Sequence, residues 1–413
     1  MNNASISIVM NGIKKCSGAC LYCSAAKSMD YRGKDNASTF TFYPEKLKAR
    51  ILEFCKESLE QGKKNDGTSL NIDIWGGNPV ENFEPFKQVI KFCEEELKEF
   101  RQVHLHTSGN GLELRDKDIV DYLIEHNIHY QLSHDGCGQW LRTGEIDPLT
   151  WEETKDNIKL LWSRGILDWI NCTLSARNPS FFENIEFWNK YRKDADLWNC
   201  PITIKLNHIY DGTEPIKTKW IGKDNKYIKH GEEIGNLCFT GEVLQEYLHE
   251  FRKLAIIMFT PGVEQDPQWM PYHGYITGQA ERFKMIKDPK EAGMCVAFQR
   301  GLSDRNFAID TKGEYCQCNL IDSDNKVLNP TAKQPEYCEN CKYKNMAECN
   351  PCGSEKFSEK CEYHWWWAKT LEETFQLIEL RKSFMQMQQQ QMQPHQCDCH
   401  KKQPVFCVRD YNF

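Results

Sequence analysis

The chain has 413 residues, of which 40% are hydrophobic and 27% are charged, a composition typical of a globular protein with room for two or three domains. Its net charge of −7 provides no broadly basic surface, which argues against nucleic acid as the main partner. The sequence has no long apolar run and no secretory signal, so we expect a cytoplasmic protein with no membrane partner. Its twenty cysteines should then be reduced and available to metals.

From residue 5 to about residue 235, short apolar or β-branched runs alternate with longer amphipathic stretches. Strands are predicted at residues 6–10, 71–75, 103–107, 129–133, 169–174 and 202–207. Helices are predicted at residues 43–61, 84–99, 116–125, 150–164 and 180–191. This alternation predicts an α/β fold with a partial (β/α)6 TIM-like barrel, although a doubly wound open sheet fits the same pattern.

Cysteine is distributed unevenly, because residues 295–413 contain eleven of the twenty. We therefore expect the barrel to span residues 1–235 and a small cysteine-rich domain to span residues 295–370. Residues 236–294 form a bridging region, with a helix predicted at 242–258 and a connection rich in proline and glycine near 261–271. Residues 371–413 should form a C-terminal helix and a flexible tail, in which Cys397, Cys399 and Cys407 receive no assigned role.

A cysteine triplet with CxxxCxxC spacing, Cys16, Cys20 and Cys23, follows the first predicted strand. Three thiolates on one short loop can hold three irons of a 4Fe-4S cluster and leave the fourth iron open to a ligand. In a parallel α/β fold this loop would lie at the carboxyl end of a strand, where active sites are found. A zinc knuckle, or a chance clustering of cysteines, remains an alternative for the triplet alone.

Loops rich in glycine and polar residues follow the next three predicted strands. The first is a Gly-Gly-Asn-Pro turn, the second spans residues 107–111, and the third spans residues 131–144. Each loop on its own is also ordinary turn chemistry. The residues that these loops contribute as site candidates are Gly76, Gly77, Asn78, Pro79, Ser108, Asn110, Ser133, Cys137 and Arg142.

A second, ordered series of cysteines lies in the back part of the chain. Two CxxC pairs are included, and this spacing also suits zinc. The series contains too many cysteines for one zinc site. Its members are Cys295, Cys316, Cys318, Cys338, Cys341, Cys349, Cys352 and Cys361.

In their order along the chain, these motifs resemble those of radical S-adenosylmethionine enzymes with a SPASM-type extension, a group that modifies peptides and proteins. In that family the open iron chelates S-adenosylmethionine, and one electron from the cluster breaks a carbon–sulfur bond to give a 5′-deoxyadenosyl radical. Tyr22 occupies the place where the family has an aromatic residue near the adenine. Residues 76–79 are similar to the family's Gly-Gly-Glu-Pro segment, but Asn78 stands in place of the glutamate.

The resemblance implies a role for each strand-end loop. The small residues of the Gly-Gly-Asn-Pro turn let the backbone approach the methionine moiety of the cofactor, and Asn78 can accept a hydrogen bond from it without supplying charge. Ser108 and Asn110 offer polar contacts. Ser133 contacts the cofactor, and Arg142 offers a fork for its carboxylate, unless it is a surface arginine. Cys137 is a candidate hydrogen-atom or proton donor, with a packed cysteine as the alternative.

The same resemblance implies two auxiliary 4Fe-4S clusters, which would bring the total to three. Cys295, Cys318 and Cys352 would bind the first, where Cys316 could replace or accompany Cys318. The spacing departs from the family pattern, since seven and two residues separate the last three cysteines before residue 361, where the family has five and three. The ligands implied for the second auxiliary cluster are Cys338, Cys341, Cys349 and Cys361.

For function, the resemblance implies hydrogen abstraction from a peptide or protein side chain, as in peptide maturation by oxidation, crosslinking or epimerisation. A flavodoxin- or ferredoxin-type protein would donate the electron. Since the triplet starts at residue 16, we expect a separate recognition protein to present the peptide, or direct binding at the barrel mouth. One alternative is the same chemistry on a small molecule or nucleotide. Another is a non-catalytic iron–sulfur or zinc protein for electron transfer or interaction.

Overall fold

A parallel β-sheet organises the protein. The computed structural model describes residues 2–13, 16–18, 20, 22, 40–64, 67–144, 146–208, 237, 239–285, 307–316, 340–341 and 357–392. Within these ranges, seven parallel strands form one sheet in the order β6-β5-β4-β3-β2-β1-β7. The strands are β1 (Asn2–Val9), β2 (Thr68–Trp75), β3 (Gln102–Gly109), β4 (His129–Ser133), β5 (Leu167–Leu174), β6 (Thr203–His208) and β7 (Phe307–Asp310).

The first six strands confirm the predicted alternation, each at the position that its apolar run indicated. Neighbours in the sheet are also neighbours in sequence from β1 to β6, which is the arrangement of a curled barrel and not of a doubly wound sheet. No ladder joins β6 to β7 among the described residues, so the barrel is open between these two strands. The fold is therefore a partial barrel, as predicted.

Helices follow the strands on one face of the sheet. The single helix predicted over residues 43–61 is interrupted at Cys55, and the helix predicted from residue 150 begins at Lys155. Two predicted starts carry side-chain caps, since Asp116 accepts from Asp118 N and Ser180 accepts from Glu183 N. The helices are α1 (Pro44–Phe54), α2 (Lys56–Gly62), α3 (Phe83–Glu96), α4 (Lys117–Glu125), α5 (Trp140–Thr143), α6 (Lys155–Ser163), α7 (Phe181–Asp194), α8 (Gly241–Met258), α9 (Met270–Met285) and α10 (Phe357–Met392).

Two elements were missed by the sequence patterns, and a third extends beyond its expected range. Strand β7 pairs in parallel with β1 over four residues, so part of the cysteine-rich segment lies in the main sheet. Helix α9 had no predicted counterpart, because its glycines and polar residues weaken the amphipathic pattern. Helix α10, the expected C-terminal helix, begins earlier, at Phe357, and continues to Met392 through a glutamine-rich stretch with good helix propensity.

The main core lies between the sheet and its helices. Alternate residues of each strand, such as Ile72 and Ile74 of β2, are buried against helices, while the intervening residues Asn71 and Asp73 are only half-buried. Helix α10 joins this core through Trp367, whose ring lies 4.7 Å from that of Phe251. None of the described helices combines the length and the apolar character needed to cross a membrane.

Candidate functional site

The loop after β1 brings two cysteines of the predicted triplet to the carboxyl edge of the sheet. A Cβ atom added to Gly18 would lie 3.4 Å from Cys16 Sγ and 3.7 Å from Cys20 Sγ, so the two sulfurs flank one point beside a residue that has no side chain. Both cysteines are half-buried. Cys23, the third member of the triplet, lies outside the described residues. Its role as a ligand stays a prediction.

The loop after β3 contacts the first cysteine. Asn110, which is 4% exposed, directs its Nδ2 atom to Cys16 Sγ at 3.9 Å and donates to Ser17 Oγ at 3.1 Å. On the other side of this cysteine loop, Ser17 N donates to Glu81 Oε2 at 2.7 Å. Loops after β2 and β3 thus hold the cysteine loop from two directions, and the predicted site residue Asn110 acts on it directly.

The loop after β4 contacts the second cysteine. Arg142 donates through Nη1 to Cys20 Sγ at 3.5 Å and through Nη2 to Asp135 Oδ1 at 2.9 Å. Tyr22 donates its hydroxyl hydrogen to the other oxygen of Asp135, and the Arg142 guanidinium lies 5.6 Å from the Tyr22 ring centroid. The predicted pair Tyr22 and Arg142 is therefore brought together with Cys20.

Asp135 is fully buried and well supplied with donors. Besides Arg142 and Tyr22, Thr173 N donates to its Oδ1 atom at 2.9 Å. Burial by itself lowers the pKa of Arg142, but the negative charges of Asp135, Tyr22 and Cys20 and the hydrogen bond to Asp135 together raise the pKa well above its ordinary value. Arg142 is thus a buried cation held by an internal carboxylate and not the surface arginine of the alternative reading.

Arg142 was predicted to bind the cofactor carboxylate through its guanidinium group, and part of that group already has a partner within the protein. Its Nη2 atom is engaged by Asp135, whereas its Nε atom is buried and has no hydrogen-bond partner in the described part of the chain. Binding of a cofactor carboxylate by this side chain stays a prediction.

The short 3-10 turn before Arg142 contains Cys137, whose sulfur donates to Glu183 O at 3.7 Å. Burial raises the pKa of this thiol, which favours the protonated form required for its predicted role as a donor.

The Gly-Gly-Asn-Pro turn begins directly after β2. Gly76 and Gly77 have φ values of 130° and 56°, which side-chain-bearing residues rarely adopt, and a Cβ on Gly76 would lie 3.2 Å from the Met10 backbone. The two glycines are therefore required by the turn itself. Pro79 follows Asn78, and both are buried, with the Asn78 carbonyl accepting from Asn82 Nδ2 at 2.8 Å.

A buried carboxylate lies beside this turn. Glu113 is 4% exposed and accepts from Tyr130 Oη at 2.5 Å and from Asn78 Nδ2 at 2.9 Å. Burial raises the pKa of Glu113, and burial likewise raises the pKa of Tyr130, helped by the neighbouring charge of Glu113. Gly109 makes room for this carboxylate, since a Cβ there would lie 1.7 Å from Glu113 Oε1.

The two predicted serines lie on the strands themselves. Ser108 of β3 and Ser133 of β4 are both half-buried, at alternate positions to residues buried under the helices. They therefore belong to the opposite face of the sheet, which we call the polar face. Further along this face, Lys205 Nζ lies 3.5 Å from the ring centroid of Trp169. Asp73 of β2 lies on the same face, and burial raises the pKa of its carboxyl group.

Three side chains of the polar face approach one another away from the cysteines. His106, His129 and Asp168 bring one metal-ligating atom each within 4.8 Å of the others. His129 Nδ1 is 3.0 Å from Asp168 Oδ2, and the two imidazole rings stack with centroids 5.0 Å apart. The sequence alternation of β3 and β4 could have placed both histidines on one face, but not their proximity to Asp168.

Few of the predicted auxiliary ligands fall within the described residues. Cys316 is buried next to Val9 and Ala308, and Cys341 is half-buried against the main core. Cys361 lies in helix α10, and its side chain is outside the described set. The auxiliary ligand assignments therefore stay predictions. The other predicted ligands outside the described residues are Cys295, Cys318, Cys338, Cys349 and Cys352.

Sequence reasoning missed two carboxylates of the site. Asp135 lies in the loop over residues 131–144, between the candidates Ser133 and Cys137, but no role was derived for it. Glu113 lies in an apolar context between Leu112 and Leu114, directly after a strand-end turn. A single acidic residue between apolar ones could have indicated a buried carboxylate, because an ionised carboxylate is seldom buried without hydrogen-bond partners.

The cysteine loop has the chemistry of an iron–sulfur site. Two sulfurs flank the bare Gly18, and each is approached by an N–H donor, from Asn110 and from Arg142. Hydrogen bonds of this kind stabilise thiolates that ligate metal and tune the potential of the cluster. The residues present therefore fit a cluster held by thiolates.

Comparisons with known structures agree with the fold of this chain. No protein-family model matches the sequence. Native anSMEcpe with bound AdoMet matches 91% of this chain and 99% of its own length, with a TM-score of 0.54 and 14% identity. The same enzyme with bound AdoMet and Cp18Cys peptide matches 91% of this chain and 99% of its own, with a TM-score of 0.51 and 15% identity.

A looser match is SuiB of Streptococcus suis bound to precursor peptide SuiA, which covers 78% of this chain and 60% of its own length, with a TM-score of 0.41 and 14% identity. At these identities the first two matches speak to the fold. They agree with the open parallel sheet. The predicted partial barrel is thus a fold that this chain shares with anSMEcpe.

Proposed function

We propose that this chain is a radical S-adenosylmethionine enzyme that abstracts hydrogen from a side chain of a peptide or protein substrate. The observation that carries the proposal is the meeting of Cys16 and Cys20 around Gly18, at the carboxyl edge of an open parallel barrel. A zinc knuckle has no need of this fold around it. The strand-end loops that bind the cysteine loop are the ones in which the cofactor motifs occur.

The cysteine loop would hold a 4Fe-4S cluster through Cys16, Cys20 and Cys23, and the bound cofactor would supply the radical chemistry. The chain's own residues prepare the site. Asn110 and Arg142 donate toward the two sulfurs and favour the thiolate form. Arg142 in turn is fixed by Asp135, so its charge cannot move away from Cys20.

The polar face of the sheet supports a peptide or protein as the substrate. It offers half-buried amides and charges, including Lys205 and the hydrogen-bonded pair Asn171 and Asn207, to a group that enters the barrel. Tyr275 of α9 donates to Asn207 Oδ1 at 2.5 Å and fixes that amide. A likeness in fold to an enzyme that was determined with a bound peptide points to the same class of substrate.

The remaining parts of the proposal concern the back of the chain and its partners. We expect two auxiliary 4Fe-4S clusters on the second cysteine series, and an electron donor of the flavodoxin or ferredoxin type. A separate recognition protein, or the barrel mouth itself, would present the substrate. Cys137, with its protonated thiol, is the candidate for returning a hydrogen atom or proton.

Anaerobic reconstitution of the full chain with iron and sulfide tests the proposal. We expect about twelve irons per chain if three cubane clusters form. The reduced protein should convert S-adenosylmethionine to 5′-deoxyadenosine, and Cys16→Ala, Cys20→Ala and Cys23→Ala should each abolish this reaction. Incubation with candidate peptides, followed by mass spectrometry, should then show a change of mass on a single residue.

Cys200→Ala is a suitable control, because Cys200 is also half-buried but precedes β6 at the opposite edge of the sheet. It should retain full cleavage activity. Zinc with little iron after reconstitution would contradict the proposal and favour a non-catalytic metal protein. Cleavage of S-adenosylmethionine with turnover of a small molecule or nucleotide, but of no peptide, would contradict the substrate class alone.

A further inference from the structure

A cluster of two imidazoles and one carboxylate lies on the polar face, toward the amino ends of its strands. His129 and Asp168 lie at the starts of β4 and β5, and His106 of β3 stands opposite His129 in the ladder. One ligating atom of each side chain lies within 4.8 Å of the others. The side chains of His129 and Asp168 are 27% and 30% exposed, so an ion can reach them from solvent.

An irregularity in the sheet brings the carboxylate into this cluster. Tyr130 pairs with Leu167, whereas the next residue, Gln131, pairs with Trp169, so Asp168 is an extra residue on β5. In a regular strand, neighbouring side chains point to opposite faces, so Asp168 and Trp169 could not both belong to the polar face. A bulge of this kind turns a side chain in a new direction and is common next to functional sites.

The imidazole of His106 is held by two other rings. Its centroid lies 5.0 Å from that of His129 and 5.9 Å from that of Trp169, and the ring planes differ by 24° and 26°. Lys205 Nζ is engaged with the same Trp169 ring at 3.5 Å. Because the stack fixes the His106 ring in advance, little side-chain freedom is lost when a ligand binds to it.

The contact between His129 and Asp168 is close, but it is not a hydrogen bond. His129 Nδ1 lies 3.0 Å from Asp168 Oδ2, yet this buried nitrogen has no hydrogen-bond partner in the described part of the chain. Since the length would allow a bond, the oxygen must lie away from the direction of the ring N–H. Two atoms bonded to one tetrahedral zinc ion are about 3.3 Å apart and do not point at each other. The contact therefore has the geometry of two ligands of one ion.

Two other histidine–carboxylate pairs of this chain are ordinary hydrogen bonds. His126 Nδ1 lies 2.8 Å from Glu94 Oε1, and His134 Nε2 lies 2.9 Å from Asp147 Oδ1, with a hydrogen bond in each case. Within the described ranges, neither pair belongs to a group of three ligating side chains. The cluster on the polar face thus differs from both pairs in its composition and in its geometry.

We propose that His106, His129 and Asp168 bind one divalent transition-metal ion, separate from the cluster of the cysteine loop. Two imidazoles and a carboxylate suit Zn²⁺ or Fe²⁺, and three protein ligands leave a further position for water or for a group of a bound molecule. Rotation of the side chains closes the ligating atoms by at most about 1.5 Å to tetrahedral spacing. The ion joins β3, β4 and β5 and stabilises this part of the barrel wall.

The metal content of the reconstituted full chain tests the site without any turnover. After anaerobic dialysis against Zn²⁺ and removal of the excess, inductively coupled plasma mass spectrometry should find about one more zinc ion per chain in the wild type than in Asp168→Asn or His129→Gln. If the site already holds iron, the wild type should instead exceed both variants by one iron. Zinc bound to cysteines is common to all three proteins and cancels in the difference.

Two further readouts identify the ligands and the role of the ion. X-ray absorption of the wild type at the edge of the bound metal should show an ion with nitrogen or oxygen neighbours, which for zinc lie at about 2.0–2.2 Å, whereas thiolate sulfur lies at about 2.3 Å. Zn²⁺ should raise the thermal midpoint of the wild type and not those of the two variants, because an ion that binds the folded chain stabilises it.

His126→Gln is the matched control, because it removes a histidine from a hydrogen-bonded pair outside the cluster. It should bind as much metal as the wild type. Equal zinc and iron contents in the wild type, Asp168→Asn and His129→Gln would overturn the inference. Zinc with sulfur neighbours alone, together with no additional iron, would overturn it as well, and this measurement needs only the wild type if a variant does not fold.

Discussion

Two buried carboxylates flank the cysteine loop at the carboxyl edge of the sheet, and they differ in their counter-charges. Asp135, after β4, is neutralised by Arg142 at 2.9 Å and accepts further hydrogen bonds from backbone and side chain. Glu113, after β3, has only neutral donors among the described residues. The difference teaches that the carboxylate on one side of the loop, the closed side, has an internal counter-charge, whereas Glu113 on the other side, the open side, has none among the described residues.

The largest effect should come from breaking the closed side. Arg142→Ala leaves Asp135 buried without its cation, and we expect the free energy of unfolding to fall by about 3–5 kcal/mol. Chemical denaturation of the cofactor-free protein measures this. Lys190→Ala, which removes an exposed ion pair on α7, should leave stability unchanged. A loss below about 1 kcal/mol for Arg142→Ala would contradict the view of Asp135 as an internally neutralised charge.

On the open side, filling the space that Gly109 leaves for the Glu113 carboxylate should have the next largest effect. In Gly109→Ala the new methyl group would lie 1.7 Å from Glu113 Oε1 and 2.4 Å from Tyr130 Oη, so the carboxylate must move. We expect a loss of about 1–3 kcal/mol by overpacking. The matched control is Gly274→Ala on α9, where a Cβ meets nothing within 4 Å. Equal stability of the two variants would show that Glu113 is not confined.

Removal of the Glu113 charge should increase the stability of the cofactor-free protein, in contrast to the two changes above. Burial raises the pKa of Glu113, so its contribution to folding is most favourable below the unfolded pKa and is lost as pH rises through the raised value. Glu113→Gln should therefore match the wild type at acidic pH and be more stable than it at pH 7. Denaturation midpoints across this pH range measure the effect, and a less stable variant at pH 7 would contradict it.

The smallest effect should follow from adding a methyl group at Gly18, between the sulfurs of Cys16 and Cys20. Gly18→Ala brings a methyl group to 3.1 Å from Asn110 Nδ2 and into ordinary contact with both sulfurs, so the neighbours need to shift only slightly. We expect a modest fall in the iron bound by the first cluster, with unchanged stability before reconstitution. Iron content relative to the wild type measures this. Full occupancy would show that the two sulfurs do not share the space around Gly18.

The sequence predicted those elements whose residues have a single, local physical role, such as burying a strand face or capping a helix. Alternating apolar runs located β1 to β6, and Asp116 and Ser180 marked helix starts because their side chains cap backbone N–H groups. Strand β7 was missed because four residues in a cysteine-rich segment carry too little periodicity. Cysteine spacing likewise indicated the site without any structure.

Pairing between loops could not be read from the sequence. Asp135 and Arg142 are close in sequence, yet their common contact with Tyr22 and Cys20 depends on how two loops pack. The contact between Asn78 and Glu113 spans two βα units, and its significance depends on the burial of both groups. Burial and counter-charge are properties of the folded edge, and motifs alone do not report them.

The most direct test of the account is the electron paramagnetic resonance spectrum of the reduced, reconstituted protein with and without S-adenosylmethionine. We predict that the cofactor shifts the cluster signal of the wild type. The triple variant Cys16→Ala/Cys20→Ala/Cys23→Ala should keep any signal from auxiliary clusters and show no shift. A shift that persists in the triple variant, or a wild-type signal that the cofactor leaves unchanged, would contradict the assignment of the cysteine loop as the site of radical generation.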